Sequence, residues 1–120
     1  ASEVYIDASL SDVDSNILKE RKHMADEGLL AITFTITKHK RLIGSVVVKS
    51  SGFADFESSK SLENSIRQKT LDLFTNGLKE HKNINIKALE KQIIVGLNQF
   101  IYQKIERRPL IVPIINVINN

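Results

Sequence analysis

Along residues 29–38 apolar and polar side chains alternate. Leu30, Ile32, Phe34 and Ile36 point one way, and Thr33, Thr35 and Thr37 the other. A period of two with β-branched residues predicts a strand that buries one face. Lys38-His39-Lys40-Arg41 interrupts the pattern as a polar hairpin connection. A second strand then runs from Leu42 to about Lys49 and ends at Ser50-Ser51-Gly52. So short a connection predicts antiparallel pairing of the two strands.

The period then changes. From about Ser59 to Glu80, Leu62, Ile66, Leu73, Phe74 and Leu78 recur at helical spacing. From about Ile86 to Arg107, so do Ile86, Leu89, Ile93, Leu97, Phe100, Ile101 and Ile105. Each stripe has a polar opposite face, as expected of amphipathic helices lying on a sheet. Asn85 is placed to cap the second helix and Pro109 to end it. Gly77 marks either the end of the first or a close packing contact.

Leu110 to Ile118 reads as a third strand, apolar on both faces. Pro113 cannot donate to a ladder, so this strand belongs at an edge or carries a bulge. A doubly apolar edge strand needs a cover. Either the N-terminal elements supply it or another domain or subunit does, through Ile111, Ile115 and Val117. Ahead of the first strand, residues 1–10 read as a linker. A short helix is expected over residues 11–26, capped by Ser11 or Asp12, with Gly28 just past its end. The expected architecture is α+β: a small three-stranded sheet with two long amphipathic helices on one face, preceded by a linker and a short helix. Residues 11–120 form the domain.

Composition agrees with one small core. The chain has 120 residues, 42% of them hydrophobic and only 6% aromatic, so Ile, Leu and Val must fill the interior. There is no cysteine, which excludes disulfides and Cys-type zinc sites and fits a reducing, cytoplasmic setting. No run approaches the roughly 20 apolar residues that cross a bilayer, so no membrane role is expected. The net charge of +3 is uneven. Residues 1–59 carry seven Lys/Arg and nine Asp/Glu, and residues 60–120 carry ten and five.

Catalytic and metal-binding chemistry has no foothold in this pattern. His23, His39 and His81 are far apart, without the spacing that lets one element hold a metal. Asp7, Asp12 and Asp14 lack the glycine and terminal glutamate of a calcium loop. No serine sits in a nucleophile elbow, and no glycine-rich loop could cradle a phosphate. No catalytic residue, metal ligand or cofactor site is therefore assigned. The best phosphate-facing candidates are Lys38, Lys40 and Arg41 on the hairpin, with Arg107 and Arg108 before the third strand. Contacts of this kind position a nucleic-acid backbone without reading bases.

Three stretches carry a family resemblance. Val4-Tyr5-Ile6-Asp7 resembles the Val-Tyr-(Val/Ile)-Asp that leads out of the catalytic region in the bacterial ribonuclease J family. Asp12-Val13, Ile17-Leu18-Lys19-Glu20-Arg21-Lys22 and Asp26-Glu27-Gly28 resemble its Asp-Val-Gly, Val-Leu-Arg-Asp-Arg-Lys and Glu-Asp-Gly. Arg107-Arg108-Pro109-Leu110-Ile111-Val112-Pro113-Ile114-Ile115 is similar to its closing Arg-Arg-Pro-Met-Ile-Leu-Pro-(Ile/Val)-Ile. Tyr102 and Lys104 fit the helix before that close. Where the family has Ser-Arg-Gly-Phe this chain has Ser50-Ser51-Gly52-Phe53. The Gly-Pro-Asp that commonly comes before is lost around Gly44-Ser45-Val46, and Asp-Val-Gly has become Asp12-Val13-Asp14. Such drift resembles the second, less active paralogue found in some bacteria.

The resemblance implies a C-terminal accessory domain of a larger enzyme, with a three-stranded sheet against two helices. The family's full protein is a zinc-dependent ribonuclease of metallo-β-lactamase and β-CASP domains. It works as a 5′-to-3′ exonuclease and as an endonuclease, in mRNA turnover and rRNA maturation. Its zinc ligands and 5′-phosphate pocket belong to the missing catalytic region. The implied partners are the protein's own catalytic domains, a second copy in a dimer or tetramer, or a paralogous ribonuclease J subunit. The leading expectation is an assembly domain. The alternative is an RNA-binding module that delivers substrate to the nuclease core.

Overall fold

A computed structural model describes residues 27–52 and 60–119. The linker, the short helix, its Ser11 or Asp12 cap, His23 and the carboxylates at 7, 12 and 14 lie outside the described residues. Five elements follow in order: β1 (Leu29–Thr37), β2 (Leu42–Ser51), α1 (Lys60–Glu80), α2 (Ile86–Ile105) and β3 (Leu110–Ile118). They make the expected α+β architecture, a three-stranded sheet with two helices.

The strand order is β2-β1-β3, with β2 antiparallel and β3 parallel to the central strand. Leu30, Ile32, Phe34 and Ile36 are buried, and Val46 and Val48 of β2 share that face. The helices lie on it, α1 toward β2 and α2 toward β3. In α2 the fully buried row is Leu89, Ile93, Leu97 and Ile101, every fourth residue, which keeps one helical face on the sheet. In α1 the row is Leu62, Ile66, Thr70, Phe74 and Gly77, while Leu73 and Leu78 are only half-buried. Thr70 reaches the core because its Oγ donates to the Ile66 carbonyl at 2.8 Å, so no hydroxyl is left unpaired. Phe34 and Phe74 meet edge to face, with ring centres 5.3 Å apart.

Gly77 does not end α1, which continues to Glu80. A Cβ at that position would lie 2.8 Å from Gln92 Oε1 and 3.0 Å from Leu89 Cδ1, and one at Gly96 would lie 2.5 Å from Leu73 Cδ2. The two glycines let the helices close on each other. Asn85 caps α2 by accepting from the Ala88 N–H at 2.8 Å, and Glu106, left-handed at φ 56°, closes it.

β3 occupies an edge, and the ladder explains how it tolerates proline. The Leu110 N–H donates to the Gly28 carbonyl at 2.8 Å, and the Lys38 N–H donates to the Ile118 carbonyl at 3.0 Å. Alternate residues of a parallel strand turn both backbone groups toward the same neighbour. Residues 110, 112, 114, 116 and 118 therefore face β1, and Pro113 faces the free edge. Its missing N–H breaks no rung.

β2 carries a bulge. Thr33 pairs with Val47 and Thr35 with Ile43, so residues 44–46 oppose Phe34 alone. Gly44, at φ 74°, supplies the turn. Arg67 of α1 pins the bulge: its Nε donates to the Val46 carbonyl at 2.9 Å while Nη1 and Nη2 hold Asn64 and Glu63.

Candidate functional site

The sheet direction divides the basic residues between two ends. β1 starts beside Arg107–Leu110, as the bond from Leu110 to Gly28 shows, and finishes at the hairpin. α2 runs into β3, so its C-terminus lies at the first end. Its N-terminus and the α1–α2 connection lie at the hairpin end. Lys38, Lys40 and Arg41 are thus separated from Arg107 and Arg108 by the length of a nine-residue strand, roughly 27–30 Å. The two groups do not form one patch.

The arginines are engaged in the fold. Arg107 Nη2 donates to the Glu27 carbonyl at 3.4 Å. The Arg108 N–H donates to Glu27 Oε1 at 2.8 Å, and its guanidinium lies 4.4 Å from the centre of the Tyr102 ring. Lys69 and Lys104 similarly approach Phe100, at 5.8 and 5.2 Å. These aromatic contacts were not legible from the sequence stripes, because Phe100 and Tyr102 fall on opposite sides of the buried Ile101.

The hairpin is held from within. Thr37 Oγ1 accepts from the N–H groups of His39 at 3.1 Å and Arg41 at 3.2 Å, and the Lys40 N–H donates to the Thr37 carbonyl at 2.8 Å. Lys40 is left-handed at φ 64°, the residue that closes a three-residue hairpin loop. A residue with a Cβ is strained there, so Lys40→Gly should raise stability by up to about 1 kcal/mol. A urea-unfolding midpoint checks it. A decrease would mean that the lysine side chain has a packing role.

The face of the sheet turned away from the helices is a second candidate surface. Thr33 and Thr35 run down its middle. They are flanked by Ile43 and Val47 on β2 and by Val112 and Ile114 on β3. Val47 is 41% exposed and Ile114 46% exposed. No described residue covers this face. Ile111, Ile115 and Val117 take the other parity and share the helix side with Leu30, Phe34 and Ile36. Ile111 is 5% exposed and belongs to the core, Ile115 packs against it, and Val117 at the edge is 49% exposed.

Among the described residues no group of three or more His, Asp or Glu side chains is placed to hold a metal. A zinc ion of the kind the family resemblance implies finds no ligand set in them. Between the helices, Leu73, Gly77, Ala88, Gln92 and Val95 line a shallow, mainly apolar groove. No helix among the described residues is long and apolar enough to cross a membrane.

Residues 16–118 match the model of the ribonuclease J C-terminal domain. The chain belongs to that family. Ribonuclease J2 of Bacillus subtilis is 27% identical over 107 residues, covering 88% of this chain and 19% of that protein. Ribonuclease J 2 of Staphylococcus saprophyticus is 26% identical over 110 residues, covering 91% and 20%. Ribonuclease J 1 of Streptococcus pyogenes is 24% identical over 125 residues, covering 96% and 21%. This ribonuclease J C-terminal domain therefore spans about a fifth of the length of the curated relatives it matches. The matched residues 16–118 include the whole sheet and both helices.

Proposed function

We propose that the chain is the accessory and assembly domain of a ribonuclease J-type enzyme. In this reading the hydrolytic centre, with its zinc, belongs to the parent protein outside these residues. The parent acts in the cytoplasm as a 5′-to-3′ exonuclease and endonuclease in mRNA turnover and rRNA maturation. The domain's part is to join subunits, either copies of one chain or paralogous ribonuclease J chains, and to support full activity.

The observation that carries the reading is the match of residues 16–118 to a family described as a C-terminal domain, in relatives about five times as long. The sheet face that no described residue covers is the surface proposed to dock a second ribonuclease J subunit. Three strands about 4.8 Å apart and nine residues long offer roughly 400 Å². A stable interface takes about 800 Å² from each partner. This face supplies about half of that, which suits a domain whose parent contributes the remainder.

Deleting residues 16–118 from the full-length parent tests the role. The shortened protein is expected to sediment at lower mass and to degrade a 5′-monophosphorylated RNA at least about tenfold more slowly. That loss corresponds to about 1.4 kcal/mol of transition-state stabilisation. Unchanged mass together with unchanged rate would remove the accessory role.

A further inference from the structure

The hairpin end of the domain gathers charge from two elements that are distant in sequence. Lys38, Lys40 and Arg41 project from the β1–β2 turn. Lys79, Lys82 and Lys87 come from the last turn of α1, the connection and the first turn of α2. The topology puts both loops at one end, and Leu42 beside one and Ile84 beside the other enter the same core. Across residues 38–42 and 79–87 these six cations face a single carboxylate, Glu80. All six side chains reach solvent, and none of them pairs with a carboxylate among the described residues.

The arrangement is unfavourable for the fold taken alone. A helix N-terminus carries partial positive charge and favours acidic residues in its first turn. The first turn of α2 has no acidic residue and carries Lys87 instead. Lys79 and Lys82 suit the C-terminal end of α1, but Lys87 stands against the dipole of α2, with Glu90 one turn further on. Six like charges with exposed amide dipoles between them repel one another unless a polyanion neutralises them.

We infer that this end binds the phosphate backbone of single-stranded RNA, gripping it between the hairpin and the α1–α2 connection. The inference rests on the ribonuclease J reading for its choice of polyanion and extends that reading by giving the accessory domain its own contact with substrate RNA. The contact is to phosphates: among its described residues this end exposes no Phe, Tyr or Trp on which bases could stack, only the imidazoles of His39 and His81. Arg107 and Arg108 stand at the opposite end and do not take part.

The test measures fluorescence anisotropy of a labelled oligouridine, about 20 nucleotides long, with the 120-residue chain. Neutralising about five phosphates on a single strand predicts a loss of about 100-fold in affinity between roughly 50 and 200 mM salt. Lys38→Glu/Arg41→Glu and Lys82→Glu/Lys87→Glu should each weaken binding at least tenfold, with unchanged far-ultraviolet circular dichroism. Lys49→Glu/Lys60→Glu makes the same change in net charge away from this end and should weaken it less than threefold. Equal losses from all three pairs would reduce the effect to net charge and overturn the inference. So would an absence of binding at low salt, or capture of polyglutamate through the same lysines with no capture of RNA. None of these outcomes bears on the accessory role, which the truncation of the parent tests separately.

Discussion

Ile32→Ala should cost about 2–5 kcal/mol of folding stability. Ile32 is fully buried at the centre of the middle strand, level with Val48 on one side and Pro113 on the other, and its side chain points at the helix layer. Removing its outer carbons takes away apolar burial and leaves a space that two strands and two helices would have to collapse to fill. Domains of this size hold only about 5–15 kcal/mol in total. The loss should therefore lower the melting temperature by roughly 10–20 °C. Ile32→Val, which keeps the branched shape, should cost about 0.5–1.5 kcal/mol. Thr33→Ala, one residue on and facing away from the helices, should move stability by less than about 0.5 kcal/mol. Thermal melts of the three variants separate the two faces of β1. If Ile32→Ala and Thr33→Ala melted alike, the helices could not be packed on one side of the sheet.

That contrast shows why much of the fold could be read directly. β1 is buried on one face only, so every second residue declares its side. α2 repeats the same logic at helical spacing. Pro113 narrowed β3 to an edge or a bulge, because a missing donor is tolerable only where no neighbour needs it, and the strand lies at an edge. The features that escaped are those in which tertiary contact overrides pattern. Thr70 sits in the core although it is polar, because a bond to the backbone one turn earlier satisfies it. Gly77 fits either a helix end or a close packing contact in the sequence, and only the tertiary fold decides for the second. The bulge at residues 44–46 left only Gly44 as its signal, and Arg67 as its anchor left none. The parallel alignment of β3 depends on the path through two helices, which no local period encodes.

The candidate surfaces divide along the same line. Lys38, Lys40 and Arg41 were recognisable as a hairpin tip, since four polar residues between two apolar runs have few other uses. Arg107 and Arg108, the other phosphate-facing candidates, stand at the opposite end of the sheet, a separation set by strand direction. The neighbours of Lys38, Lys40 and Arg41 at the hairpin end, Lys79, Lys82 and Lys87, lie some forty residues further along the sequence. Only the antiparallel return of α2 brings them there. For β3, strand parity in turn is fixed by register, and register was not available from an apolar run without alternation.

Parity decides the last expected result. Ile114→Asp and Ile115→Asp place the same charge on adjacent residues of β3 and should fail in different ways. Ile115 pairs with Phe34 on the helix side and packs against the core. A carboxylate there loses apolar contact and hydration together, with an expected cost of about 3 kcal/mol or more. Ile114 pairs with Thr33 on the face turned away from the helices and is 46% exposed. Its replacement should change the melting temperature by no more than about 3 °C, while a charge at the centre of an apolar contact weakens association by about 2 kcal/mol or more. In sedimentation of the full-length parent, Ile114→Asp should shift the population toward lower mass at unchanged thermal stability. If Ile114→Asp melts as low as Ile115→Asp, the face is already occupied within the chain and no subunit docks on it. If it neither melts lower nor loses mass, subunits join elsewhere, and the sheet's open side has no part in assembly.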